Sequence, residues 1–287
     1  MSSRRAARCA TRKSCRPPTT TAWSWPTRAY GCSTINPHKE KENVVVTQQW
    51  SQTAEINAGR LQSNPYPGRG IVIGLTPDGT RYAQVYWIMG RSENSRNRVF
   101  IGEENGFVRT EAKDPAKLTD PSLIIYYPVR HTGSAHIVTN GDQTDTVYDA
   151  LASGGTFEQA LTTRTWEPDA PNYTPRISGL VDLSDASCAY KLSILKTNQG
   201  DASQTMRHYF HYEQGIAGFG HCVTTYAGDG NPLPSFQGEP VLMPLFDDIA
   251  QTAAFYWDRL NADNKISLLV KTIDKATGKT ETHIVNK

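Results

Sequence analysis

The chain has 287 residues, of which 38% are hydrophobic and 20% are charged. This composition suffices for a buried core and excludes a mostly disordered or coiled-coil protein. No apolar run approaches the roughly 18 residues that a membrane-spanning helix needs, so we predict no membrane partner. Nine of the 30 Lys and Arg residues lie in residues 1–42, so the net charge of +2 hides a mildly acidic remainder. That remainder argues against a nucleic-acid partner.

Residues 1–43 differ from the rest of the chain. They are rich in Arg, Ser, Thr and Pro and show no hydrophobic periodicity, so we predict a disordered basic tail. An over-extended gene start, an organelle transit peptide and a nucleic-acid contact stay open as explanations of this tail. We predict one domain over residues 44–287. The five cysteines form no CxxC pair, and their odd number favours a reducing, intracellular environment over a disulfide framework.

Strands dominate the predicted secondary structure. In chain order, the patterns predict a helix over 45–63, strands over 71–75, 82–90, 99–102, 122–129 and 135–140, a helical stretch over 146–166, strands over 176–183, 189–197, 206–214 and 221–228, a helix over 247–262, and strands over 266–274 and 280–287. Neighbouring strands joined by turns indicate antiparallel sheets. The helices must cover sheet faces, so we predict a layered α+β domain with mostly antiparallel sheets.

Common catalytic and cofactor motifs are absent from the sequence. There is no phosphate-binding loop, no nucleophile elbow and no zinc-protease helix motif. The segment GIAGFG (215–220) lacks the dinucleotide spacing and lies between predicted strands, so it indicates a turn. His208 and His211 point to opposite faces of a strand, which opposes a joint metal site with His221 and Cys222. We therefore predict no metal site.

Polar side chains concentrate in four loops at the ends of predicted strands. Residues 90–98 contain three arginines, two serines and two asparagines, and Arg presents a fixed fork of donors that suits phosphate or carboxylate. The segments 126–130, 139–145 and 167–176 add Tyr, Asn, Asp and Glu side chains. Each loop alone is also explained as a turn or a solvated surface. Together they favour an anionic, hydrogen-bonding ligand such as a nucleotide.

Seven ordered segments carry a family resemblance. They are PYPGRGIVIG (65–74), YWIMGRSENSRNRVF (86–100), DPSLIIYYPVR (120–130), IVTNGDQTDT (137–146), EPDAPNYTPRISGLV (167–181), YKLSIL (190–195) and DGNPLPSFQGEP (229–240). From about residue 62 onward the chain resembles the IMP cyclohydrolase family, of the archaeal type and its bacterial relatives. The resemblance implies an αββα sandwich like that of the N-terminal-nucleophile hydrolases. No terminal nucleophile is expected, because residues precede the GRG segment without any sign of processing.

The resemblance implies an enzyme, a hydrolase acting on cyclic amidines. In the implied reaction, the carboxamide nitrogen of 5-formamidoimidazole-4-carboxamide ribotide (FAICAR) attacks the formyl carbon, and water leaves to give IMP. This step is the last of de novo purine biosynthesis. Both reacting groups sit on one imidazole, so the enzyme mainly selects the attacking conformer. The implied partner is a small-molecule purine ribotide, and neither a cofactor nor a metal is required.

The resemblance also implies roles for individual residues. Glu167 is the predicted base and Tyr126 the predicted acid or oxyanion donor. Arg98, the third catalytic candidate, is predicted together with Arg91 to bind the formyl oxygen or the ribotide phosphate. Arg69 is predicted either to hold phosphate or only to pin a turn. The predicted substrate-binding residues are Arg69, Arg91, Ser92, Asn97, Arg130, Asn140, Asp145, Asn172, Tyr173 and Arg176.

Two other functions stay open at this point. One is a non-catalytic purine-nucleotide-binding regulator that kept the pocket, which the intact Tyr126, Arg98 and Asn140 disfavour. The other is a related cyclohydrolase acting on another ribotide, which only a panel of substrates addresses. We predict a cytoplasmic location. The oligomeric state is open, with a homo-oligomer among the alternatives.

Overall fold

Strands outnumber helices throughout the part of the chain that the structure describes. The computed structural model describes residues 37–287, with side chains from residue 47 onward. Its helices are α1 (Pro37–Ser63), α2 (Glu93–Arg96), α3 (Gln143–Ala152), α4 (Phe157–Thr162) and α5 (Ile249–Arg259), with a short 3-10 helix at Pro115–Lys117. Its strands are β1 (Gly70–Leu75), β2 (Arg81–Met89), β3 (Val99–Gly102), β4 (Val108–Glu111), β5 (Val129–Thr132), β6 (Ala135–Thr139), β7 (Arg176–Asp182), β8 (Tyr190–Asn198), β9 (Asp201–Tyr212), β10 (Phe219–Thr224), β11 (Val241–Pro244), β12 (Lys265–Asp274) and β13 (Thr280–Asn286).

The strands form two antiparallel sheets. The first has the order β11-β10-β1-β2-β12-β13, and the second has the order β3-β4-β5-β6-β7-β8-β9. In the first sheet, Val72 of β1 lies opposite Val85 of β2 on one side and Cys222 of β10 on the other. The predicted α+β class and the predicted antiparallel pairing are therefore confirmed.

Three hydrophobic clusters hold these elements together. In the first cluster, Ala58 of α1 and Tyr256 of α5 pack with Trp87 on one face of the first sheet. In the second, residues of both sheets meet, for example Ile73 and Ile177. In the third, the helices α3 and α4 pack on the other face of the second sheet. Each large side chain that is fully buried in this way stabilises the fold by roughly 1.5–3 kcal/mol.

The structure corrects the predicted elements in several places. The run 122–129 is not a strand: the main-chain N–H groups of Ile124 and Ile125 both donate to the carbonyl of Pro121, which makes a turn. A proline at the end of the run, Pro128, also has no N–H to give to a ladder. Strands β4 and β11 were not predicted, and of β5 only Val129 was. The predicted 146–166 stretch divides at Gly154 and Gly155 into α3 and α4, as its Gly-Gly pair indicates.

The beginning of the chain is described only in part. The predicted disordered tail over residues 1–43 lies outside the described residues as far as residue 36. Helix α1 begins at Pro37, earlier than the predicted start at residue 45, and ends at Ser63 as predicted. Residues Asn43–Lys287 form one compact unit.

Strand direction gathers several loops at one edge of both sheets. Antiparallel neighbours place the start of one strand beside the end of the next. In the first sheet, the start of β1 therefore lies beside the ends of β2 and β10, as the pairs of Gly70 with Trp87 and Thr224 show. In the second sheet, the end of β6 lies beside the start of β7, where Thr139 pairs with Ser178. Three of the four polar loops predicted from the sequence adjoin these ends.

Candidate functional site

A cavity of about 300 Å³ opens among these strand ends. Its size is at the lower end of the range of small-molecule sites. Its walls carry three arginines and two carboxylates, so cationic groups outnumber anionic ones. The lining residues are Tyr66, Arg69, Met89, Arg91, Ser92, Asn94, Ser95, Arg98, Leu123, Ile124, Glu167, Asp169, Asn172, Thr174, Tyr226 and Leu233.

Glu167 is the buried carboxylate of this cavity, with 1% of its surface exposed. Its main-chain N–H donates to the carbonyl of Thr174 at 2.9 Å, which closes the loop that leads into β7. Its Oε2 lies 3.5 Å from Nη2 of Arg69, and its Oε1 accepts from Nδ2 of Asn140 at 3.5 Å. Burial raises the pKa of Glu167, although the neighbouring Arg69 opposes this effect. A carboxylate with a raised pKa is a stronger base than an exposed one.

Arg69 is fixed at both its main chain and its side chain. Its main-chain N–H donates to Oγ1 of Thr225 at 3.1 Å, and its carbonyl accepts from the N–H of Thr225 at 2.9 Å. These bonds pin the segment before β1 to the end of β10. The guanidinium, 11% exposed, faces Glu167. Burial works against the charge of Arg69, but the Glu167 carboxylate holds its pKa above the ordinary value. Arg69 thus pins a turn and also presents a charge to the cavity.

Arg98 is the most deeply buried cation of the cavity wall, at 1% exposure. Its Nε donates to the carbonyl of Ser95 at 2.9 Å. Its Nη1 and Nη2 atoms are buried and have no hydrogen-bond partner. Burial lowers the pKa of Arg98, and the charge of Arg69 lowers it further. Buried donors of this kind are normally paired, so these two are suited to an oxygen atom of a ligand.

Tyr126 lies behind the cavity wall and does not line it. Its hydroxyl is 2.7 Å from the hydroxyl of Tyr86, and both side chains are buried. Burial raises the pKa of both phenols, so both are neutral near pH 7 and can donate. The main-chain N–H of Tyr126 donates to Oγ1 of Thr110, which sets the position of the ring.

A hydroxyl network that was not predicted forms another part of the wall. Oδ1 of Asp169 accepts from the N–H of Thr174 at 2.6 Å. The Thr174 hydroxyl bonds both to Oδ2 of Asp169 and to the hydroxyl of Tyr226, whose ring stacks on Tyr66 at 5.9 Å. Asp169 and Thr174 lie in a segment already singled out by its polarity. Tyr226 had no sequence signal, because it comes to the site from a distant part of the chain.

The other lining residues from the predicted set lie on the more exposed part of the wall. Nη1 of Arg91 pairs with Oδ1 of Asp229 at 2.5 Å, and its guanidinium lies 4.9 Å from the ring centre of Tyr66. Ser92 caps α2 by accepting from the N–H of Ser95 at 3.2 Å. Oδ1 of Asn172 accepts from the N–H of Leu233 at 3.1 Å. These contacts order this part of the wall.

Asn140 and Arg176 support the cavity from behind. Nδ2 of Asn140 donates to the carbonyl of Pro175 at 2.9 Å as well as facing Glu167. Nη1 of Arg176 donates to Oε1 of Gln143 and pairs with Oδ1 of Asp142, both at 2.7 Å. Neither residue lines the cavity. Asn140 thus holds the segment between Glu167 and β7 in place, whereas Arg176 is bonded to residues at the start of α3.

Besides Asn140 and Arg176, four residues predicted to bind substrate lie outside this cavity: Asn97, Arg130, Asp145 and Tyr173. Nδ2 of Asn97 donates to the carbonyl of Asp114 at 2.8 Å, and its Oδ1 accepts from the N–H of Asp114 at 2.7 Å, so Asn97 joins two loops. Arg130 pairs with Asp145 at 2.7 Å, and each thereby satisfies the charge of the other. Tyr173 lines a neighbouring cavity of about 480 Å³. None of these four residues lines the cavity described here, and their roles in substrate binding stay predictions.

The described residues offer no cluster of metal ligands. Over residues 47–287, no group of three His, Cys, Asp or Glu side chains is arranged to hold a metal ion. His211 instead lies 3.0 Å from the carboxylate of Glu158, and His208 stacks on Phe210. Among the described helices, none has the length and apolarity of a membrane span.

Comparison with known proteins points to one family. The model of a family described as IMP cyclohydrolase-like proteins matches residues 66–278, more than half of the chain. An IMP cyclohydrolase of Methanopyrus kandleri is 37% identical over 121 residues, which are 41% of this chain and 59% of that relative. An IMP cyclohydrolase of Methanococcus maripaludis is 30% identical over 129 residues, which are 44% of this chain and 62% of that relative. The chain therefore aligns with less than two thirds of the length of these relatives.

Proposed function

Because this chain belongs to the IMP cyclohydrolase-like family, we propose that it closes the purine ring of FAICAR to give IMP with loss of water. The observation that carries this proposal is the buried carboxylate of Glu167, which faces Arg69 in a cavity that Arg98 also lines. FAICAR carries a phosphate, a formyl group and a carboxamide. The arginines offer donors to oxygen atoms of these groups, and the carboxylate offers a proton acceptor.

Glu167 is the proposed base. The carboxamide nitrogen is a poor nucleophile, so a proton must leave it as the new C–N bond forms. Burial raises the pKa of Glu167 while Arg69 favours its ionised form, which leaves a carboxylate with increased affinity for a proton. Glu167 takes the proton from the carboxamide nitrogen. It passes this proton to the formyl oxygen, which becomes a hydroxyl group. The formamido nitrogen then gives up its own proton to Glu167, which passes it to that hydroxyl, so that water leaves, the C=N bond of the ring forms and the enzyme returns to its starting state.

Arg98 is the proposed donor to the formyl oxygen. Negative charge develops on this oxygen as the ring closes, and preorganised donors in a buried site stabilise such charge. Nη1 and Nη2 of Arg98 are buried and unpartnered, so they need no rearrangement before they donate. We assign Tyr126 a supporting role, because its hydroxyl bonds to Tyr86 behind the wall. The nearby charge of Arg98 partly offsets the rise that burial causes in the pKa of Tyr126.

Positioning supplies the rest of the proposed catalysis. The two reacting groups are attached to one imidazole, so the cavity has only to select the conformer in which nitrogen and formyl carbon face each other. The bonds that pin Arg69 to Thr225 and Glu167 to Thr174 keep the walls of this cavity fixed. We further propose that the packing of helices on both outer sheet faces corresponds to the αββα sandwich of N-terminal-nucleophile hydrolases. A cytoplasmic location stays a prediction.

The direct test follows absorbance as purified protein is mixed with FAICAR in the presence of EDTA. We expect IMP to form far faster than in buffer alone, which measures spontaneous ring closure. A rate equal to the buffer rate, together with tight IMP binding by calorimetry, would favour a nucleotide-binding regulator. Turnover of a different ribotide in preference to FAICAR would assign the site to a related cyclohydrolase.

A further inference from the structure

A second cavity, of about 210 Å³, shares Arg98 with the candidate catalytic cavity. Five of its seven lining residues are cationic, and one is a carboxylate. The lining residues are Arg96, Arg98, Lys113, Asp263, Lys265, Ile266 and Lys287. Cations that gather in one concave site raise the local concentration of anions.

The buried guanidinium of Arg98 is the feature that points to a ligand. It is 1% exposed and uses only Nε, which donates to Ser95. Its Nη1 and Nη2 atoms have no partner within the described structure. A buried charge that lacks a counter-ion is strongly unfavourable unless an anion completes the site. Because two donors are free, Arg98 can serve a ligand in each of the two cavities.

The lysines around this second cavity each donate to a main-chain oxygen. Nζ of Lys265 donates to the carbonyl of Trp257 at 2.9 Å, and Nζ of Lys113 donates to the main-chain oxygen of Lys287 at 3.0 Å. Nζ of Lys287 donates to the carbonyl of Ala262 at 2.7 Å. An ammonium has three N–H donors, so each lysine keeps donors for a further acceptor.

These cations come together from separate parts of the chain. Lys113 follows β4 of the second sheet, whereas Lys265 opens β12 and Lys287 follows β13 of the first sheet. Within the described residues, no ion pair joins Asp263 to any of these lysines. Burial lowers the pKa of Lys265, the Asp258 carboxylate opposes this effect, and the charge of Lys287 adds to it.

We propose that the second cavity binds a phosphate group, which contacts Arg98 on the side away from the catalytic cavity. Phosphate matches the site because it offers several oxygen atoms and two negative charges to lysine and arginine donors. The phosphate has two sources: the 5′-phosphate of the ribotide, or a separate phosphate ion or ester. Only the first source rests on the proposed function. In both cases the bound phosphate fixes the guanidinium of Arg98.

The test measures binding of inorganic phosphate to the full chain by calorimetry, with chloride keeping the ionic strength constant. Lys113 is exposed and at the rim of the cavity, so Lys113→Gln removes one donor with little risk to the fold. Lys265→Gln is the second variant. The matched control is Lys279→Gln, an exposed lysine before β13, about 30 Å along the hairpin from Lys265.

We expect phosphate binding to weaken roughly tenfold in Lys113→Gln and in Lys265→Gln, because each loses a charge-assisted hydrogen bond. The Lys279→Gln control should bind as the unmodified chain does. Equal affinity in all three variants would overturn the site. So would a loss of phosphate binding in Arg91→Gln without a loss in Lys113→Gln, since that pattern would place the phosphate in the catalytic cavity.

A second titration, at saturating IMP, distinguishes the two sources of phosphate. Loss of phosphate binding in the presence of IMP would assign the cavity to the ribotide's own phosphate. Simultaneous binding of both would assign it to a separate phosphate. If the chain neither binds IMP nor converts FAICAR, the proposed function fails, while the phosphate titrations on the lysine variants still decide the second site.

Discussion

Replacing Glu167 with glutamine tests the proposed base while changing little else. Glutamine has nearly the same shape, and its one side-chain oxygen can still accept from Arg69, which lies 3.5 Å from Oε2, or from Asn140, which lies 3.5 Å from Oε1. An amide cannot take a proton from the carboxamide nitrogen. We therefore expect kcat to fall by about 10²–10⁴-fold, the usual contribution of a positioned general base. That range corresponds to about 3–5 kcal/mol in the activation barrier.

Product affinity should respond differently from turnover. IMP has already lost the proton that Glu167 accepts, and the variant keeps the arginines that face the ligand. We expect the Kd for IMP to change by no more than roughly threefold, since a group that acts in the transition state contributes little to ground-state binding. Steady-state absorbance gives kcat, and calorimetry gives the Kd.

A second variant separates base catalysis from a general loss of negative charge. Asp169 also lines the cavity, but its carboxylate already bonds to the N–H and hydroxyl of Thr174. Asp169→Asn removes the same charge as Glu167→Gln, so we expect a clearly smaller fall in kcat. Normal turnover in Glu167→Gln would refute its role as base. An equal fall in both variants would show that the cavity needs its charge balance and not a base at Glu167.

Three further predictions concern the fold and its pH dependence. Burial raises the pKa of Glu167 above 4.5. The stability that Glu167 contributes relative to Glu167→Gln is therefore present below that pH and is lost as pH rises through the raised pKa. Urea unfolding of both proteins over this range should show the decline, and a difference in unfolding free energy that does not change with pH would contradict it. Tyr126→Phe removes the 2.7 Å bond to Tyr86 and should lower the free energy of unfolding by about 1 kcal/mol; a larger loss of kcat than of stability would show that its hydroxyl also serves the reaction. Gly74→Ala would place a Cβ 2.1 Å from the carbonyl oxygen of Phe219 and should lower the free energy of unfolding by about 1–3 kcal/mol, as measured by denaturant titration; an unchanged midpoint would show that β1 and β10 do not pack so closely.

Local patterns were sufficient to predict most of the strands. The β-branched and aromatic runs at 71–75 and 82–90 became β1 and β2 because such residues suit a pleated, buried surface. The segment 122–129 has the same composition but forms a turn, since the Thr110 hydroxyl and the Pro121 carbonyl take its main-chain groups. Strand propensity describes the residues of a segment, and it does not include the partners that compete for its hydrogen bonds.

The sequence by itself determined the α+β class and the antiparallel pairing, because hydrophobic period is a local property. The family resemblance, and not the local pattern, singled out Arg69, Arg98 and Glu167, which all line the cavity. Tertiary structure alone decided which polar residues meet. It paired Arg130 with Asp145 outside the cavity. It also brought Tyr226 and the lysines of the second cavity to Thr174 and Arg98 from distant parts of the chain. A charged side chain binds whichever opposite charge lies nearest after folding, and the distance that decides this cannot be read from spacing along the chain.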